Sequence, residues 1–584
     1  MDNTEPIDPL QRPIPVILCL MVAAVVHVPL LLMKLPLKSF DTNFHIFFAS
    51  HYFHHWFDPW NTKCFAGFSQ ATYPPLSHQW VAAISPIFGF DYAYMVVQLA
   101  SILLLVVGVY RFSLLWTNAR AASLAAVASV FVGAESFLVY HAGQLATTSA
   151  APIYLNALPF LYAWLRYGNG RAFVKGSLLF ITAAAVHHAT LIFGSVLFAA
   201  PVLALAFLDR TDGRRAATGK VLARAVAIGL LVGVAVAIVL LPYWIALIHY
   251  PITQTPIPHE SRANYILSPE YGLTYFIVPW GALILALPFI FLHGSENVKL
   301  RPLLFGFWVA FLLGLGGTTP VGSILLGRAF KVLTMERFSY WATLLALPFV
   351  GILAAKLIRR FRLAAVAGLM VLATLTCALA VAWSSIEPPD PDNYSVDPVA
   401  SWLNRDGHDQ YRYFTLGFGN KISRLAMMTD ASSVDGEWNS GRLLPELMQY
   451  SGAALTSSKY FGTGGLDALR AILKHADRYG LKWVFVRDHY YDALLSYAGW
   501  RPVDYLEDKT IVIWSKDGVP PAQPVNAPQR PPHWQGLMWG TLPFGSSILA
   551  ILVLLLIPER RRQHAEAGLH VTPDQGVAAR SLAS

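Results

Sequence analysis

Long apolar runs alternate with short polar connections along this chain. The runs fall at roughly 14–36, 91–116, 120–138, 150–165, 173–189, 190–208, 225–247, 271–292, 302–317, 339–357, 363–384 and 536–557. Most approach the ~20 residues a helix needs to cross the hydrocarbon core of a bilayer. The pattern predicts a polytopic α-helical membrane protein of about twelve spans. The stretch 173–208 is too long for one span, and His187-His188 marks the expected turn within it. As neighbours on a helix the two imidazoles would point about 100° apart and serve one ion poorly. The shorter segment 76–90 contains Pro86 and reads as a half-helix leading into the second span.

Two stretches break the alternation. Residues 37–80 form a long connection that holds Asp41, Asp58, five histidines from His45 to His78, and the turn Tyr73-Pro74-Pro75. Between Thr42 and Phe57 the apolar positions Phe44, Phe47, Phe48, His51/Tyr52 and Trp56 approximate helical spacing. They predict an amphipathic helix over 42–57 lying in the membrane interface, ended by Pro59. Residues 385–535 are the second stretch, entered through a Pro/Asp linker and left through a proline-rich one. Helix is expected at Ala468–Tyr479 and Tyr491–Tyr497, and strand at Trp483–Val486 and Thr510–Trp514. That alternation predicts a small α/β domain, and no phosphate loop or nucleophile elbow occurs in it. The organisation expected is thus a membrane domain over 1–384 with eleven spans, the soluble domain 385–535, a last span at 536–557 and a polar tail at 558–584.

Composition agrees, with 55% hydrophobic and 13% charged residues in 584. The net charge of +9 comes from basic residues gathered in alternate connections, such as Arg166, Arg171 and Lys175, or Arg359, Arg360 and Arg362. The positive-inside rule then puts both termini in the cytoplasm and the 37–80 and 385–535 stretches outside an inner (plasma) membrane. No basic-aromatic patch on a soluble fold suggests nucleic acid. The three cysteines form no disulfide framework or zinc pattern. The N-terminus lacks a basic region, so the first span is expected to stay as an anchor.

Candidate chemistry concentrates in the outer connections. Asp41 is placed as a general base, or a metal ligand near one, and also as the N-cap of the helix that begins at Thr42, two readings that do not exclude each other. His45 lies one turn after Asp41, and Asp58 stands at helical spacing from His51, His54 and His55. Such groups admit a divalent cation, with help from His187 or His188, although the sequence names no cofactor. Glu135 stands at the outer end of the third span, followed by His141 and Gln144, which suit sugar hydroxyls. The loop 318–338 carries Arg328, Lys331 and Arg337 on the side where basic residues are unusual. They fit a lipid phosphate, or snorkelling to headgroups with Glu336 as an ion-pair partner. The proline-rich loop 248–270, with His259, Glu260 and Arg262, is either a substrate cover or an ordinary connection.

An apolar span, an acidic residue, a short helix and a Tyr-Pro-Pro turn into the next apolar segment, taken in that order, resemble the GT-C superfamily of membrane glycosyltransferases. The resemblance covers residues 14 to about 385. These are oligosaccharyltransferase- and mannosyltransferase-like enzymes that use polyprenyl-phosphate-linked sugars. The resemblance implies a base at Asp41 and a second acidic residue at Glu135. Some members use a divalent cation, but this chain lacks a clear Asp-x-Asp in the second outer loop. The expected activity is transfer of a sugar from a polyprenyl-phosphate donor to a glycan, lipid or protein in the cell envelope, with Arg337 and Arg328 or Lys331 on the donor phosphate. The alternative is a non-enzymatic membrane protein, a lipid-glycan transporter or an envelope assembly factor. The enzyme is favoured because the ionisable residues gather at one face and no halves repeat.

Overall fold

The computed structural model describes residues 8–211, 214–215, 217–249, 259–388, 394–438, 441–450, 454–526 and 529–558. The tail after Pro558 and positions 250–258 of the proline-rich loop lie outside these residues.

Helix occupies each of the predicted apolar runs. Among the described residues, seven helices are long and apolar enough to cross a membrane, and Val16–Leu32 and Arg301–Gly314 are shorter apolar helices. The chain is a polytopic helical membrane protein. Two continuous-looking helices are broken inside. Leu76–Ser113 turns at Gly89 (φ 69°), which separates the half-helix from the second apolar run. Glu336–Ile386 turns at Arg362 (φ 55°), at the boundary between two predicted runs. The run 173–208 divides at His187, whose extended backbone (φ −157°) ends Gly170–Val186 and precedes the next helix at His188. The imidazoles of His187 and His188 are therefore not helical neighbours, and their ring centres lie 6.2 Å apart.

Leu145–Tyr167 is polar for a helix of this bundle because it faces protein along nearly its whole length. Its Thr148 donates to Gln98 Oε1 at 3.2 Å, and the Ser149 and Ser101 hydroxyls lie 2.8 Å apart. Hydroxyls and small residues between helices supply the close packing that lipid cannot drive.

A four-stranded sheet stands at one end of the bundle. Its spatial order is Arg412–Leu416, Leu481–Val486, Ile511–Ser515, Arg501–Leu506, with the first pair parallel and the others antiparallel. Helix Gly462–Lys474 packs over it. The sheet rests on the 37–80 connection. Asn526 donates to the Phe65 and Gly67 carbonyls at 2.9 and 3.0 Å, and Ser433 N–H donates to the Lys63 carbonyl at 2.8 Å. Phe65 and Ala66 take left-handed backbone conformations there (φ 54° and 56°), held by these contacts.

The connection forms helix Thr42–His54, and this helix has no exposed long face. Phe44, Phe47 and Phe48 are buried with Leu416 and Leu455 of the sheet unit. Ile46 and Ala49 are buried with Cys19 and Ala93 of the bundle. The periodicity that suggested an amphipathic helix reports only the aromatic face, because the opposite face is covered by protein too.

Candidate active site

The first turn of helix Thr42–His54 is pinned to the end of the third apolar run by backbone. Phe40 N–H donates to the His141 carbonyl and Asp41 N–H to the Ala142 carbonyl, both at 3.0 Å. Gly143 makes this approach possible. Its φ is 74°, and a Cβ there would lie 2.3 Å from Ser39 Oγ and 2.9 Å from Asp41 N. The hydroxyls of Ser39 and Thr42 meet at 2.6 Å, and Thr42 donates to Tyr94 at 3.1 Å. Asp41 is thus fixed by its main chain while its carboxylate is left out of the network. Asp41 stands at the N-cap position, as its place before Thr42 suggested, but its side chain makes no capping hydrogen bond. Burial pushes the carboxyl pKa up to about 6, with the Arg337 guanidinium opposing the rise and Glu336 adding to it.

Arg337 arrives from the far side of the sequence, at the second position of helix Glu336–Ile386. Its Nε donates to Gln144 Oε1 at 3.0 Å, and Gln144 Nε2 donates to Glu336 Oε1 at 2.6 Å. Gln144 therefore orients the guanidinium. The two terminal nitrogens of Arg337 make no hydrogen bond or ion pair among the described residues, and none joins them to Asp41. The Asp41 carboxylate and the Arg337 guanidinium thus bear on each other's charge with no hydrogen bond or ion pair joining them among the described residues.

Imidazoles and a phenol cluster beside these two groups. His45 Nδ1 and His78 Nε2 are 2.8 Å apart, and the Tyr73 ring lies 6.0 Å from the His45 ring and 5.3 Å from the His78 ring. Burial first, and then the charge of Arg337, hold His45 neutral, with a pKa of about 3. Tyr73 is raised by burial, opposed by Arg337 and reinforced by Asp41. His187 and His188 also lie within reach of the Arg337 charge. Trp438 of the sheet unit closes the aromatic wall, with its ring 4.9 Å from Tyr73 and 5.6 Å from Phe44 and its Nε1 donating to Thr72 Oγ1 at 2.9 Å. His259 borders Glu336 from the 259–262 turn.

The structure therefore brings together Asp41, His45, Gln144 and Arg337. The other sequence candidates lie elsewhere. Glu135 is 1% exposed within the bundle, and its charge bears on Tyr340 and Tyr140 rather than on Asp41. The His141 ring packs against Phe40 and Phe137 (centroids 5.5 and 4.7 Å), so its contribution here is its carbonyl. Asp58 pairs with Arg530 beyond the other end of the helix. Arg328 and Lys331 are exposed on the turn Gly327–Lys331. Sequence reasoning did not single out Tyr73, His78, Gly143 or Trp438 for this site. The Tyr-Pro-Pro turn marked the first, and the others had no local signal. Among the described residues, no three His, Cys, Asp or Glu side chains converge to hold a metal ion.

No protein-family model and no curated protein matches the chain. Solved structures do. ArnT from Cupriavidus metallidurans in the apo state superposes with a TM-score of 0.53 at 13% identity, over 84% of this chain and 97% of that one. The same protein bound to undecaprenyl phosphate gives 0.50 at 12% identity, over 87% and 99%. The apo oligosaccharyltransferase of Archaeoglobus fulgidus gives 0.52 at 12%, over 83% and 70%. These proteins are glycosyltransferases of the GT-C superfamily, and this chain has the GT-C fold.

Proposed function

We propose that this protein is a membrane glycosyltransferase that takes a sugar from a polyprenyl-phosphate donor. The observation that carries the reading is that Asp41 and Arg337 bear on each other's charge with no bond joining them, which leaves a base and an anion clamp to face a gap between them. Two structural charges this near would gain by pairing; two that flank a reacting bond must not.

In the reaction, Asp41 removes the proton from an acceptor hydroxyl as its oxygen attacks the anomeric carbon of the donor sugar. The bond from that carbon to the phosphate oxygen breaks, and the polyprenyl phosphate leaves with the electron pair. The free terminal nitrogens of Arg337 bind the leaving phosphate through a two-pronged contact. Neutral His45 places its ring at the same gap and hydrogen-bonds sugar hydroxyls without competing for charge. The low pKa of His45 and the raised pKa of Asp41 support the carboxylate as the base.

The proposed topology has twelve spans, both termini in the cytoplasm, and the Asp41 face and the sheet unit outside the inner membrane. The sheet unit acts as an outer α/β domain on the acceptor side, because Trp438 reaches the site from it. The acceptor is an envelope glycan, lipid or protein. Mass spectrometry of lipid-linked sugars and envelope glycans, with and without the gene, tests the reading. Loss of one glycosylated product and accumulation of its lipid-linked donor is expected. Identical profiles would contradict it.

A further inference from the structure

A cleft of about 440 Å³ lies beyond the opposite end of helix Thr42–His54 from Asp41, lined by His54, His55, Phe57, Asp58, Arg530 and His533 among others. The helix has 13 residues, so the two places are about 20 Å apart at 1.5 Å per residue. The cleft sits where His533–Leu556, one of the helices of membrane-crossing length, begins. Its wall is tightly packed. Gly536 lies so near the Phe57 carbonyl that a Cβ would come 2.0 Å from it, a Cβ on Gly540 would come 2.5 Å from the Phe57 ring, and Trp56 Nε1 donates to the Gly540 carbonyl at 2.9 Å.

The polar groups of the cleft are in surplus on the donor side. Asp58 is already satisfied, with one oxygen taking the Trp60 N–H at 3.0 Å and the other taking Arg530. That contact orients Arg530 and leaves its remaining N–H groups without a partner among the described residues. The rings of His54, His55 and His533 make no hydrogen bond there either. Phe57, which lines the cleft, and Trp534 and Leu537, the residues after His533 and Gly536 of its lining, are exposed by 46, 47 and 43%. Such a rim suits the aromatic belt at a bilayer surface, where apolar rings meet acyl chains and polar groups meet headgroups.

We propose that this cleft holds the phosphate of a membrane phospholipid, with Arg530 and the imidazoles on the phosphate and the exposed rim on the acyl chains. A phosphate offers only acceptors and matches a wall whose one carboxylate is spent. The inference rests on a different set of residues from the Asp41 gap and stands whether or not the protein is an enzyme.

Native mass spectrometry of the full chain in detergent tests it. The probes are dioleoylphosphatidylglycerol, dioleoylglycerol, farnesyl phosphate and inorganic phosphate. Wild type should retain one dioleoylphosphatidylglycerol at least about tenfold more tightly than dioleoylglycerol, the factor one charged hydrogen bond supplies. Arg530→Gln combined with His533→Gln should erase that preference. Both positions are exposed, and His533→Gln alone leaves the Asp58 pair intact, so it is read the same way if the double variant melts early. Equal retention of the two dioleoyl lipids, or a preference unchanged by the variants, would overturn the proposal. Binding of inorganic phosphate as tight as of the phospholipid would reduce the cleft to a free-anion site. Tighter binding of farnesyl phosphate would assign it to an isoprenoid carrier. Either outcome would also overturn the proposal.

Discussion

Asp41 stands just before helix Thr42–His54 and Asp58 a turn beyond it, yet the two carboxylates meet opposite surroundings. Asp58 accepts from Trp60 N–H and from Arg530, and both members of that ion pair reach solvent. The Asp41 carboxylate accepts no hydrogen bond among the described residues, is raised to about 6, and has a nearby arginine directed by Gln144 instead of paired with it. The difference lies in what the fold does with hydrogen bonds. At Asp58 the local Trp60 N–H and the distant Arg530 supply them, so the charge costs little. At Asp41 the chain spends its donors on the His141 and Ala142 carbonyls and leaves the side chain bare. A carboxylate raised by its surroundings and left without a hydrogen bond beside an arginine is a candidate reacting group.

The contrast breaks first at Asp41. Asp41→Asn should lower sugar transfer by about 10²–10⁴-fold, the range for removing a general base. It should not lower the melting temperature, because no cap bond is lost. Arg337 comes next. Arg337→Ala should cost about 10²–10³-fold, as for loss of a charge-stabilising donor set. Arg337→Lys should recover part of it, keeping the charge but losing the two-pronged contact. Steady-state kinetics with a purified polyprenyl-phosphate sugar reads both. Trp438 sharpens the comparison from the sheet side. Trp438→Ala withdraws the ring packed against Tyr73 and the bond to Thr72, and should reduce turnover about tenfold by loosening the site's geometry, while Trp438→Phe retains most of it. The smallest effect belongs to Asp58. Asp58→Asn should change stability by about 0–1 kcal/mol in thermal or denaturant unfolding, as expected for a solvent-reached ion pair.

The membrane architecture was legible in the sequence because a bilayer imposes one length and one composition on every span. The breaks at His187 and after the 76–90 half-helix were legible as well, the first from run length and the second from Pro86. Asp41, His45, Gln144 and Arg337 were marked as polar residues at apolar boundaries. Their convergence was not visible, since Gln144 and Arg337 meet across bundle helices far apart in sequence. The same rule that selected Asp41 also selected Glu135 and Asp58, which share its chemistry and differ only in long-range partners. The strand Arg412–Leu416 escaped notice because it is buried on both faces and shows no alternation. Arg501–Leu506 escaped because it is an exposed edge. The aromatic face of helix Thr42–His54 read as a membrane face because sequence periodicity cannot say whether lipid or a sheet covers it.

The central claim is that an ionised Asp41 does the chemistry. Its raised pKa gives that claim a sign. The carboxyl holds its proton to higher pH in the folded protein than in an unfolded chain, so the Asp41 term weakens stability as pH rises from about 4 to about 6, while the base form accumulates over the upper part of that range. The most direct measurement is kcat/KM for transfer from a polyprenyl-phosphate sugar between pH 5 and 8, for wild type and Asp41→Asn side by side. The account predicts a wild-type rate that climbs through a midpoint at about pH 6, and a variant whose residual rate is low and lacks that limb. A wild-type profile without the limb, or the same limb in the variant, would contradict it.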